Sequence, residues 1–246
     1  MPEPRSRRSC TGCSTCPRSP RRSVRLTAAG SSRAPARRPD DVRRIRHLVA
    51  ARVFLARHGQ TAYNLERRFQ GQQPVPLDET GRGQAAELAQ RAAEHGFAAL
   101  WCSPLLRARE TAEVVAARLG LEPREDARLM ETDAGKWTDR LFSEVQAEAP
   151  DAFAAFVAGD ATFAFPGGES FAHQEERVAA ALSEIETGPL PALVVCHGMV
   201  IRAALSSRAG HWEPHAERVP NGALVPLEPG AARRSDLGGG AATPPS

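Results

Sequence analysis

The chain predicts an α/β domain whose sheet is largely parallel and covered by helices on both faces. Three observations carry that expectation. Short β-branched and apolar runs, VAARVFLA and LPALVVCHG, alternate with longer stretches of helical periodicity. Each has consecutive apolar residues, VFLA and ALVVC, rather than one at every second position, as strands buried on both faces do. A His-Gly pair follows each apolar run, His58-Gly59 after Arg57 and His197-Gly198 directly, and open α/β sheets gather their functional groups beyond the carboxyl ends of strands.

Residues 1–47 stand apart. They are rich in Arg, Ser and Pro without a repeated apolar face, so a disordered extension is expected. From Met1 to Arg46 thirteen arginines meet only Glu3, Asp40 and Asp41, a net charge of ten. The whole chain carries +3, which leaves the other 200 residues at about seven negative charges. The basic balance therefore belongs to the extension. Its arginines suit nucleic acid or anionic lipid, and no nucleic-acid partner is expected except through this tail. Cys10, Cys13 and Cys16 have a metal-like spacing but no nearby fourth ligand, so they read as incidental. No run approaches the roughly 18 apolar residues of a membrane span. The N-terminal arginines precede no apolar signal core, and a cytoplasmic setting is expected.

The folded domain is expected over 48–229, with 230–246 a second tail that has no core-forming pattern. After the first strand, a polar loop with Gly and Pro runs to Asp78. QAAELAQRAAEHG then sets Ala85, Leu88, Ala89 and Ala92 on one helical face. FAALWCS is a second strand. SPLLRARETAEVVAARLG reads as a helix capped by Ser103 with Pro104 at its first position. Its stripe is Leu105, Ala108, Ala112, Val115 and Leu119, and Gly120 ends it. The stretch 139–158 is expected to be helical up to the loop FPGGES. A helix over about 170–187 would turn Ala172, Val178, Ala179, Leu182 and Ile185 inward. LPALVVCHG is the strongest strand and MVIRAALSSRAG returns to helix. ALVPL suits an edge strand, because Pro226 donates no ladder hydrogen bond.

His58 and His197 lie 139 residues apart yet follow strands in the same manner, which suggests one site. Arg57 and Arg107 add two planar donor forks, and phosphate is the anion that best fits them. Other chemistries fit less well. Cys196 and His197 are adjacent, so on a strand they point to opposite faces, and no third member orients them. A metal held by the two histidines lacks a supporting His or carboxylate cluster, so neither metal nor cofactor is expected. Cys102 and Cys196 read as free thiols.

These residues carry a resemblance. The chain is similar to the histidine phosphatase superfamily, also called phosphoglycerate mutase-like, over roughly residues 51–227. Arg57-His58-Gly59 with Thr61 and Asn64, the block GQQPVPLDETGRGQA, SPLLRARETA with Arg107, LMETDAGKW with Glu131, and PGGES followed by VVCHGMVIRAAL stand in family order. The resemblance implies a three-layer α/β/α domain and a nucleophilic His58 that forms a phosphohistidine. It implies that Arg57, Arg107 and His197 surround the phosphoryl group, that Asn64 adds a neutral hydrogen bond, and that Glu131 is the proton donor, with Asp133 a second acid two positions on. The expected reaction is hydrolysis of a small phosphomonoester. A mutase that returns the phosphoryl group to another oxygen, and a non-catalytic phosphate-binding module, are the alternatives. The match departs at Trp137-Thr138-Asp139, where relatives commonly carry an acid and then glycine after the tryptophan. Trp137 and Glu169 are therefore candidates for setting substrate choice. Residues 138–166 are expected to cover one side of the site, packed through Phe142, Val145, Phe153 and Phe156.

Overall fold

The computed structural model describes residues 52–209 and 219–228. The expected extension over 1–47, its three cysteines and the tail over 230–246 lie outside the described residues. In chain order the helices are α1 (Ala62–Glu66), α2 (Glu79–Ala92), α3 (Leu106–Leu119), α4 (Phe142–Glu148), α5 (Pro150–Ala158), α6 (Phe171–Ile185) and α7 (Gly198–Ala209). The strands are β1 (Val53–Arg57), β2 (Ala99–Cys102), β3 (Pro123–Glu125), β4 (Ala192–Cys196) and β5 (Leu224–Leu227). They form one sheet in the order β3-β2-β4-β1-β5. The three pairings β3-β2, β2-β4 and β4-β1 are parallel, and only β5 runs antiparallel, along β1, with Pro226 opposite Phe54 at the edge as its missing N–H requires.

Period-two alternation sorts the strand residues into two cores. Val53, Leu55, Val194 and Cys196 face α6 and α7, packing with Val178, Leu182, Ile185 and Ile201. Phe54, Ala56, Leu193 and Val195 face α2 and α3, packing with Leu88, Ala92, Ala108 and Val115. The three-layer α/β/α arrangement follows directly. Aromatic residues are elsewhere: seven of the nine phenylalanines join Trp137 in a third cluster built from α4, α5 and the segment after them. The sheet is thus packed by small branched side chains, and a separate aromatic block forms the cover.

The structure corrects several local expectations. Ser103 and Pro104 do not open α3; the helix begins at Leu106, and the hydroxyl of Ser103 is used otherwise. The stretch 139–158 is two helices, because Ala149, just before Pro150, takes φ −137° and ψ 62°, and proline starts α5 instead of continuing α4. Ala172 is exposed; the inward face of α6 runs Phe171, Gln174, Val178, Ala181, Leu182 and Ile185. The loop after β1 contains the short α1, closed by a capping box between Thr61 and Asn64. β3 is three residues long with an exposed outer end and no apolar pattern to announce it. Among the described residues no helix is long and apolar enough to cross a membrane.

Candidate active site

Three adjacent strands deliver three side chains to one place. β1 ends at Arg57 and is followed by His58; β4 ends at Cys196 and is followed by His197; β2 ends at Cys102 and is followed by Ser103. The sheet continues one residue further, since His58 N–H donates to Cys196 O (3.0 Å) and Ser103 N–H donates to Val195 O (3.0 Å). The two imidazoles therefore meet with centroids 5.1 Å apart, both almost fully buried. The chain folds the two distant His-Gly segments into a shared site.

The partners of His58 define its tautomer. Gly59 O, 2.7 Å from Nδ1, can only accept, so Nδ1 carries the proton. Arg107 Nε–H, 3.3 Å from Nε2, can only donate, so Nε2 presents its lone pair. Burial, reinforced by the charges of Arg107 and Arg57, holds the imidazole well below its usual 6.5 despite the opposing bond to Gly59. The ring is neutral at pH 7, with one nitrogen aimed at a guanidinium. His197 is depressed in the same way, by burial first and then by Arg107, His58, Arg57 and Arg177. Its Nε2 lies 2.7 Å from Ser103 Oγ, which also accepts from Leu105 N–H at 3.2 Å. Its buried Nδ1 has no hydrogen-bond partner within the protein, which leaves that atom for a ligand.

Arg107 reaches this point from the first turn of α3 and is completely buried. Nη1 donates to Gln73 O (3.0 Å) and Nη2 to Gly71 O (2.9 Å), so two backbone carbonyls aim the fork. Burial lowers its pKa to about 10, which still leaves it cationic at neutral pH. Arg57 is oriented by donation from Nη1 to Val219 O at 2.6 Å. Two guanidinium groups thus stand beside two neutral imidazoles, an electrostatic excess that an anion relieves.

A cavity of about 600 Å³ opens above these groups. Arg57, Arg67, Arg68, Arg107 and Arg202 line it against a single acid, Glu131, so its field favours a dianion. Phe69, Phe142, Phe156 and Phe165 supply an apolar wall from the aromatic block. Glu131 Oε1 accepts from Thr132 N–H (3.0 Å) and Oε2 lies 3.5 Å from Met199 N. Asn64 also lines the cavity. Its Oδ1 accepts from Thr61 N–H (3.2 Å) and Asn221 Nδ2 (3.2 Å), so its amide donors are what it can offer a ligand.

Trp137 and Glu169 do not line the cavity. Trp137 is 3% exposed and stacks among Phe69, Phe163 and Phe165, so it reaches substrate only through the wall it supports. Both oxygens of Glu169 pair with the Arg177 fork at 2.6 and 2.8 Å. At the departure from the family pattern, Asp139 adopts φ 68°, a left-handed conformation that favours glycine. Its carboxylate accepts from Tyr63 OH at 2.7 Å and lies 3.5 Å from Arg68 Nη1, tying two cavity-rim residues to the cover. Cys102 and Cys196 are free and buried; burial pushes the first up to about 12 and the second higher, so neither is a thiolate.

Sequence reasoning missed Ser103, whose Ser-Pro context imitates a helix cap, and Asn221, whose Asn-Gly context reads as a turn. Asn221 Nδ2 donates to His58 O at 3.0 Å and so fastens the last described segment to the site. Arg202 on α7 was also missed; it lies on the cavity wall, one helical turn beyond Met199.

Residues 53–235 match the profile described as histidine phosphatase superfamily (branch 1). A Yersinia enterocolitica protein named probable phosphoglycerate mutase GpmB is 37% identical over 169 residues, covering 68% of this chain and 78% of its own. Among solved structures, a mycobacterial glucosyl-3-phosphoglycerate phosphatase complexed with VO3 is similar at TM-score 0.67 and 33% identity, covering 71% of this chain and 90% of that one. A phosphoserine phosphatase variant from Entamoeba histolytica, in complex with phosphoserine, gives TM-score 0.63 and 25% identity, covering 70% and 88%. The profile spans most of the chain and includes every strand and helix of the fold: the chain belongs to the histidine phosphatase superfamily, branch 1.

Proposed function

We propose that the protein is a phosphomonoesterase that works through a phosphohistidine on His58, with a small phosphorylated metabolite as substrate. The observation that carries this is the pair of bonds that leave Nε2 of a buried, neutral His58 with its lone pair beside Arg107. Nε2 attacks phosphorus as the bond from phosphorus to the ester oxygen breaks, and Glu131 in its protonated form gives its proton to the leaving oxygen. Water then attacks, Glu131 as carboxylate takes its proton, and the phosphorus–nitrogen electron pair returns to Nε2. Arg57, Arg107 and the Nδ1–H of His197 stabilise the three equatorial oxygens during both transfers. Nδ1–H of His58 stays with Gly59 O throughout, so the ring turns over without a tautomer change.

Phosphatase neighbours named for glucosyl-3-phosphoglycerate and phosphoserine support hydrolysis of metabolites that carry a phosphate on a small polar skeleton. The relatives named probable phosphoglycerate mutase favour a second reading, in which the phosphoenzyme returns its group to another hydroxyl rather than to water. A phosphate-release panel of phosphomonoesters, run beside a test for interconversion of 3- and 2-phosphoglycerate, separates the two. Acid-labile phosphoenzyme should be trapped on the intact protein and not on H58A. Turnover that survives in H58A would overturn the nucleophile, and mutase activity without phosphate release would replace the first reading by the second.

A further inference from the structure

The segment that carries Glu131 is held from behind. The PGGES loop lies against it: Glu169 N–H donates to Asp133 O (2.9 Å), and Lys136 N–H donates to Pro166 O (2.9 Å). The two backbones touch so closely that a Cβ on Gly168 would come 2.4 Å from Asp133 O. Arg177, on α6, completes the contact. Nε and Nη2 donate to the two oxygens of Glu169, Nη1 donates to Arg128 O (2.6 Å), and Nη2 also reaches Glu131 O at 3.4 Å. The guanidinium therefore spans the backbone from residue 128 to residue 131.

This pair is an odd choice for stability alone. Its side chains are only 14% and 7% exposed, and buried ion pairs commonly contribute no more than apolar packing of the same volume. What a bidentate fork supplies is orientation, because both partners are planar and each bond fixes the others. Neither residue lines the cavity, so neither touches a ligand there. The charge of Arg177 is felt at His197, but the reactive group whose backbone it holds is Glu131.

We propose that Arg177, locked by Glu169, is a positioning residue that sets the reach of the Glu131 carboxyl toward the leaving oxygen. The inference rests on Glu131 being the proton donor of the proposed reaction. Its signature is dependence on the leaving group. A p-nitrophenolate departs with little help from a proton, whereas an alkoxide needs one, so a displaced acid slows alkyl phosphates selectively.

The test compares kcat and KM on p-nitrophenyl phosphate and on alkyl phosphomonoesters for the wild type, E131Q, R177K, E169Q and the E131Q/R177K double variant. E131Q is expected to lose roughly 10²- to 10⁴-fold in kcat on alkyl phosphates, the usual contribution of a general acid. R177K and E169Q should lose kcat on the same substrates by about 10- to 100-fold, the scale of a small misplacement, with KM and nitrophenyl turnover little changed. R177K added to E131Q should cause no further selective loss, since it acts through a group already removed. The ratio between two substrates within one sample is independent of how much protein is folded, so a destabilised variant still reports. Equal loss on both substrates in R177K, or a further alkyl-selective loss in the double variant, overturns the positioning role. An E131Q protein without leaving-group dependence instead removes Glu131 as the acid, and the inference with it.

Discussion

Acidification should weaken this fold through its two active-site imidazoles before its carboxylates are protonated. His58 and His197 are both buried, and burial together with the neighbouring guanidinium charges holds each well below 6.5. In the unfolded chain each titrates near 6.5. As the pH falls through that value the unfolded state binds protons that the folded state refuses, so unfolding becomes easier. The contribution is complete above 6.5 and is lost as pH falls toward the depressed folded values. One unit below 6.5, at pH 5.5, an unfolded imidazole is about ten-elevenths protonated, worth roughly 1.4 kcal/mol for each ring that stays neutral when folded. The pair then accounts for about 3 kcal/mol, a large share of the 5–15 kcal/mol that separates typical folded and unfolded domains.

Urea unfolding at pH 7.5, 6.5 and 5.5 reads this directly. Glutamine is the useful replacement, because its amide keeps both an acceptor and donors where each imidazole stood. H58Q and H197Q should each remove about half of the stability lost between pH 7.5 and 5.5, and H58Q/H197Q should remove nearly all of it. Carboxylates and other histidines are common to all four proteins and cancel in the comparison. The same loss in the wild type and the double variant would refute the reasoning, since it would mean that the folded rings take up protons as readily as the unfolded ones.

Replacing Ser103 by alanine leaves His197 Nε2 without its 2.7 Å partner, so stability should fall by about 1–3 kcal/mol and kcat by at least about 10-fold, checked by urea unfolding and steady-state turnover. In D139G, relief of a left-handed non-glycine residue, roughly 1 kcal/mol, offsets the loss of exposed contacts of similar size; the melting temperature should barely move. The KM order across a substrate panel should nevertheless change in D139G, because Tyr63 OH loses its partner at the cavity rim, while Arg68 keeps its bonds to the residue 139 carbonyl and to Glu66. Two glycines of α2 should respond with opposite signs in thermal melts. A Cβ at Gly81 would stand 2.1 Å from Gln60 O, so G81A should lose more than about 2 kcal/mol, while G83A, with open space around it, should gain about 0.4–1 kcal/mol.

How much of this was legible follows from which atoms do the work. The central strands could be read because a strand buried on both faces is apolar at successive positions, as β4 is throughout and β1 is up to Ala56. His58 and His197 could be read because they follow those strands immediately. Ser103 was misassigned because its use is settled 94 residues away, at His197, while its local surroundings satisfy every rule for a helix cap. Trp137 was set at the substrate because it stands in a loop beside the proposed acid, but a large ring in a loop gains more by entering an aromatic cluster than by remaining at a wet rim.

Arg107 shows the limit most clearly. Its residue type and place on α3 are plain in the chain, yet the two atoms that aim it are the carbonyls of Gly71 and Gln73, and every residue has a carbonyl. Only the path of the loop between α1 and α2 decides which two point at the guanidinium. The same holds for Glu131, whose carboxylate is met by the backbone N–H groups of Thr132 and Met199 and whose own carbonyl is met by Arg177. Side-chain chemistry selects what this site can bind, and backbone groups decide where those side chains stand. Substitutions that leave every cavity-lining residue in place but displace backbone beside the site, as G81A should by crowding Gln60 two residues after His58, should therefore disturb the site as surely as the loss of a charged group.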